Sequence, residues 1–155
     1  MELETSYFQD KVAVLRRPLS KIKIGYLEFL EKFKRGYSIT PGGSEEGEKR
    51  DTLNKVGSLV NRINIAFQRL DVPMKKLVAY KPLSERKTAL MLIDLLNEIL
   101  ELHGSLEEII KKEVLNSSLY TNPFKVGIAE KLNSLKKELE KVKREFVELY
   151  EKAES

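Results

Sequence analysis

The stretch TLNKVGSLVNRINIAFQRL, residues 52–70, holds three amide–cation pairs and no acid. Asn54–Lys55, Asn61–Arg62 and Gln68–Arg69 recur every seven residues. Seven residues are nearly two turns, so a helix would carry all three pairs on one side, about 10 Å apart along its axis. Lys55, Arg62 and Arg69 could then neutralise phosphates, while Asn54, Asn61 and Gln68 could hydrogen-bond base edges or sugar hydroxyls. Lys75, Lys76 and Lys81 prolong the basic run, with Tyr80 among them as a stacking ring. The plainer alternative is a solvated helix face, which most charge runs are.

A second acid-free stretch lies between Asp10 and Glu28. Lys11, Arg16, Arg17, Lys21 and Lys23 stand there among Tyr7, Phe8 and Tyr26. Cations interleaved with rings suit single-stranded nucleic acid, where bases stack and phosphates pair. The competing assignment puts the rings in a core and only the cations outside. For Phe29 and Phe33, at helical spacing, the core is the expected place.

Catalysis finds little to stand on. His103 is the only histidine and there is no Cys, so neither a His pair nor a thiolate can bind metal or attack a substrate. The ring is expected at a helix end before Gly104, where an imidazolium would favour the dipole. Asp94, Glu98 and Glu101 share a helix face that could hold Mg²⁺. Nucleotide pyrophosphatases of the MazG type pair an ExxE with an ExxD motif. Glu98 and Glu101 satisfy the first, but no Asp follows Asp94. Glu145 and Glu148 repeat ExxE without the Glu-x-x-His of di-iron bundles. Gly42 and Gly43 lack the Lys-Ser/Thr of a P-loop. The expectation is a protein that is not an enzyme and needs no cofactor or metal.

These residues need helices to position them, and the apolar spacing predicts an all-α bundle of about six. The first is expected over 5–17, stopping before Pro18, and the second over 20–35, stopping at Gly36. SITPGGSEEGE breaks the pattern, so 37–48 reads as a flexible loop. The third covers 49–70, with Leu53, Val56, Val60, Ile63, Phe67 and Leu70 in three–four spacing. Pro73 and Pro82 bracket a short turn or an extended connection. The fourth, from Ser84 to His103, is apolar on most sides and is expected at the centre of the fold. Gly104 ends it; Ser105 and Glu108 suggest a capping box for a fifth, reaching Leu115.

Asn122 as N-cap and Pro123 as first residue open the last helix, 123–153, on the order of 40 Å long. Its Ile128, Leu132, Leu135, Leu139, Val142, Phe146 and Leu149 step by four and three. That heptad rhythm admits two partners: the third helix of the same chain, or a second copy in a coiled-coil arm. Parallel dimers prefer β-branched residues at position a and Leu at d, whereas here Ile128 and Val142 fall at d and Leu132, Leu139 and Phe146 at a, so packing within the chain is the favoured reading.

At 155 residues, 41% hydrophobic and 34% charged, the chain is the size of one folded domain. The absence of Cys and the acids in MELETSYFQD, where a signal peptide would be basic, point to the cytoplasm. The longest apolar run, ALMLIDLL, is far too short to span a bilayer, so no membrane partner is expected. Abundant Lys and Glu with two Gln is the bias of thermophile proteins. Residues 1–82 hold 16 Lys/Arg against 10 Asp/Glu, whereas 83–155 hold 12 against 14. An anionic partner belongs on the first half. In size and basic helical character the chain resembles helical small subunits of CRISPR effector complexes, a likeness of fold class that assigns no residues. The expected function is a nucleic-acid-binding accessory subunit, DNA or RNA, single strands preferred. The alternative is a protein-interaction or scaffold subunit, or a homodimer through the last helix.

Overall fold

In a computed structural model of the protein, residues 7–39, 46–79 and 85–153 are described; they form four long helices, with no strand among them. They are α1 (Tyr7–Ile39), α2 (Glu46–Ala79), α3 (Glu85–Ile110) and α4 (Asn122–Lys152). Each of α1 and α3 packs on both α2 and α4. Arg16 meets Asp71 and Tyr26 meets Phe67; Lys55 meets Glu113 and Arg69 meets Glu98. Arg86 meets Tyr150 and Glu107 meets Lys136; Glu28 meets Lys131, while Tyr7 and Lys11 lie beside Glu148 and Lys152. Rising numbers on one helix meet falling numbers on its neighbour throughout, so the four run up, down, up and down around one core.

The six expected helices become four because two predicted breaks, at Pro18 and Gly104, are bridged, while α2 runs on through a third signal, Pro73. Pro18 lies inside α1 and Pro73 inside α2. An internal proline forfeits one helical hydrogen bond and costs about 3 kcal/mol. Leu15, Leu19 and Ile22 flank the first break, Leu70 and Met74 the second, and all are buried. Each such side chain returns about 1.5–3 kcal/mol on burial, so a continuous apolar stripe outweighs the lost bond. Gly104 likewise sits within α3. Ser105 therefore caps nothing; its hydroxyl donates back to the Glu101 carbonyl at 3.3 Å, one turn earlier. Gly36 does not end α1 either, and the bracketed segment after Pro73 continues α2 to Ala79. The predicted loop at 37–48 is helical at 37–39 and 46–48; residues 40–45 lie outside the described ones.

α3 ends in a single wide turn, Lys111–Leu115, in which the Asn116 N–H reaches back to the Lys111 carbonyl at 3.2 Å. α4 begins one residue earlier than expected: Thr121 is the N-cap, accepting from the Phe124 N–H at 3.4 Å, with Asn122 inside the first turn. The seven apolar residues of α4 named above are all buried in the bundle. They face the chain's own core, but α4 packs on α1 and α3 and not, as expected, seam to seam on the third predicted helix, which lies across the bundle as α2. Nor is α3 a central helix, since it occupies one corner and exposes Leu90 and Met91. No described helix is long and apolar enough to cross a membrane.

Candidate nucleic-acid interface

The bundle sets the two basic stretches side by side. α1 carries eight Lys/Arg against three Asp/Glu and α2 seven against four, while α3 carries two against six. Adjacent α1 and α2 thus form a positive side, and α3 a negative corner diagonal to α1.

A stripe of α1 and a stripe of α2 meet at Arg16 and Asp71. On α1, Arg16, Ser20 and Lys23 follow at four and three; on α2, Asn61, Asn64, Gln68, Asp71 and Lys75 follow at three and four. Arg16, Ser20, Lys23 and Asp71 line a groove of about 120 Å³ with Leu19, Phe67, Leu70 and Met74 at its floor. Asp71 is the one acid there, 4.0 Å from Arg16 and 3.0 Å from Lys75. The Asn64 side-chain carbonyl is buried without a hydrogen-bond partner. Cations, amides and a hydroxyl around one shallow trough can hold a phosphate chain and donate to the groups beside it.

The predicted residues divide between this groove and other faces. Arg16 and Lys23 line it and Lys75 reaches its edge through Asp71, whereas the amides Asn61 and Gln68 are exposed on the α2 stripe beside it and are not among its lining residues. Arg17 and Lys21 are exposed farther round α1, and Asn54 is exposed near the start of α2. The expected cation row turns to the other flank of α2. Lys55 donates to Glu113 at 2.8 Å, and Arg69 grips both oxygens of Glu98 at 3.0 and 3.1 Å. One residue is about 100° of helical rotation, so each cation leans onto α3 while the amide before it faces solvent. Arg62, in the same row, is exposed and makes no ion pair with a described residue. The side chain of Lys76, and both Tyr80 and Lys81, lie outside the described residues.

The Lys55–Glu113 contact depends on the wide turn after α3. There Glu113 also accepts from the Thr52 hydroxyl at 2.8 Å. The hydrogen bond from Lys55 is the main reason its carboxyl is held below the ordinary carboxylate range, and the same bond raises the Lys55 ammonium.

The stacking rings are not where the interleaving placed them. Phe8 and Tyr26 are core and only Tyr7 is exposed, with Lys11 6.0 Å from its ring centre, while Phe29 and Phe33 are core as their spacing leads one to expect. Helical spacing carries every third or fourth ring inward, so only the cations between them reach water. Sequence reading missed Ser20, Asn64 and Asp71. Their signal is the three–four stripe, masked in the sequence by the adjacent amide–cation pairs.

His103 is not a helix cap; it is fully buried, its Nδ1 2.6 Å from the Tyr26 hydroxyl. Among the described residues no cluster of three or more His, Asp or Glu could hold a metal ion. The chain matches no protein family, no curated protein and no solved structure.

Proposed function

We propose that the protein is a non-enzymatic module that binds nucleic acid along the α1–α2 groove, as an accessory subunit of a nucleoprotein complex. The observation that carries this reading is the juxtaposition of two acid-poor helix faces over one groove with a single carboxylate, Asp71. Arg16, Lys23 and Lys75 would contact phosphates, and Asn61 and Gln68 would donate to sugars or base edges. Single strands fit best, because their base edges and sugars are open to short amide side chains. With the rings buried, affinity rests on phosphate contacts rather than stacking, and falls steeply with salt.

Fluorescence polarisation with short labelled DNA and RNA, single- and double-stranded, at two salt concentrations tests it. Binding at low salt that weakens at high salt supports the reading. No binding to any oligonucleotide at low salt overturns it.

A second reading, a protein-interaction subunit, is favoured by the α2–α3 flank. There Lys55 and Arg69 are engaged by Glu113 and Glu98, and Ile65 and Val72 are exposed on the outer face of α2. An oligonucleotide-inert protein would move the function to this face.

A further inference from the structure

Two exposed stripes at opposite corners of the bundle mirror one another in chemistry. On α1, the aliphatic pair Ile24 and Leu27 is followed toward the N-terminus by Lys21 and Arg17. On α3, the aliphatic pair Leu90 and Met91 is followed toward the C-terminus by Asp94 and Glu101. All four aliphatic side chains are between 37% and 53% exposed. The four charged residues are also exposed, and none makes an ion pair with a described residue. An unpartnered apolar pair beside unpaired charges of one sign is a surface without its complement.

We infer that the complement is a second copy of this chain, with α3 of one copy docked antiparallel on α1 of the next. The antiparallel sense follows from the order of residues. It lays one aliphatic pair on the other and brings cations opposite acids. Measured from the middle of each pair, the cations lie about 7 and 13 Å along the axis and the acids about 5 and 16 Å, at 1.5 Å per residue. Lys and Arg side chains are long enough to absorb that difference. A parallel arrangement would leave one charged end over the partner's far side, with no acid to meet it.

Because α1 and α3 are diagonal in the bundle, the two stripes point in opposite directions. One copy therefore uses different faces toward its two neighbours. Such a head-to-tail contact does not close on itself as a two-fold dimer does, and it grows into open chains. Arg17 and Lys21 serve this contact, whereas Arg16 and Lys23 remain over the α1–α2 groove. Assembly and oligonucleotide binding are separable.

The test measures mass against concentration by sedimentation, without nucleic acid, at low and at 1 M salt. Wild-type protein should grow beyond a dimer at low salt and dissociate at high salt. The double reversals R17E/K21E and D94K/E101K should each stay monomeric, because each carries like charges on both stripes. An equimolar mixture of the two should regain the wild-type distribution, since opposite signs again face each other. A third variant, L27S/L90S, keeps every charge and should weaken association at least tenfold while remaining helical by circular dichroism. A wild-type protein that stays monomeric, one that stops at a closed dimer, or a mixture that stays monomeric overturns the inference.

Discussion

The Tyr26 hydroxyl and the His103 ring meet 2.6 Å apart across the diagonal of the bundle, joining α1 to α3 through the core. Burial keeps the phenol protonated and well above its ordinary range, with Glu107 adding to the effect. The ring's other nitrogen, Nε2, is buried without a hydrogen-bond partner and faces Glu107 at 3.9 Å. A neutral ring with its proton on Nε2 and Nδ1 accepting from Tyr26 satisfies this geometry.

Burial lowers the His103 pKa below its ordinary 6.5, and Lys136 lowers it further, against raising by Glu107 and Glu140. The unfolded chain therefore takes up a proton before the folded one does. The stabilisation is complete above pH 6.5 and is lost as pH falls through the folded value. Wild-type urea midpoints should drop between pH 7 and pH 5, and His103→Gln should flatten that dependence. Glu113, held below 4.5, titrates in a lower window. A wild-type curve as flat as the variant's would contradict the assignment.

The glycines separate into two kinds. A Cβ at Gly57 or Gly104 meets nothing within 4 Å, and no described residue has positive φ. Alanine at either should stabilise by about 0.5–1 kcal/mol, because a helical glycine loses excess unfolded-state entropy. At Gly25 a Cβ would come 2.6 Å from Leu135 Cδ2, and at Gly36 it would overlap the Phe124 ring. Alanine there should destabilise by about 1–3 kcal/mol. Thermal melts of the four single variants check both signs.

Leu139 is fully buried in the middle of α4. Leu139→Ala should cost about 2–5 kcal/mol, measured by urea denaturation, while leaving the particle mass of dilute protein unchanged. A change in mass with little loss of stability would return this seam to a dimer.

The helical class, the apolar stripes and the seven buried residues of α4 were legible because burial writes a three–four period into the chain. The helix count was not. Pro18, Pro73 and Gly104 are local signals, and the packing energy that overrides them comes from neighbours distant in sequence. The same holds for the site. Sequence shows that Arg16 and Asp71 are charged, but only the antiparallel pairing of α1 with α2 brings them together. His103 was misplaced for a related reason: its partner Tyr26 lies 77 residues away.

Asp71 is the groove's one carboxylate, and it holds both Arg16 and Lys75. Asp71→Asn removes a charge that repels phosphate and frees two cations, so oligonucleotide affinity should rise severalfold at low salt. Its contribution to folding is small, because exposed pairs are worth about 0–1 kcal/mol. Polarisation titrations of the variant beside wild type decide the direction; unchanged or weaker binding moves the site elsewhere.

The most direct measurement is the salt slope of single-strand binding for wild type and for Arg16→Ala/Lys23→Ala. Each phosphate contact on a single strand contributes roughly 0.7 to the slope of log affinity against log salt. Losing two contacts should therefore flatten the slope by roughly 1.4 and weaken binding to every sequence alike. A double variant that binds with wild-type affinity and slope would show that the α1–α2 groove is not the interface.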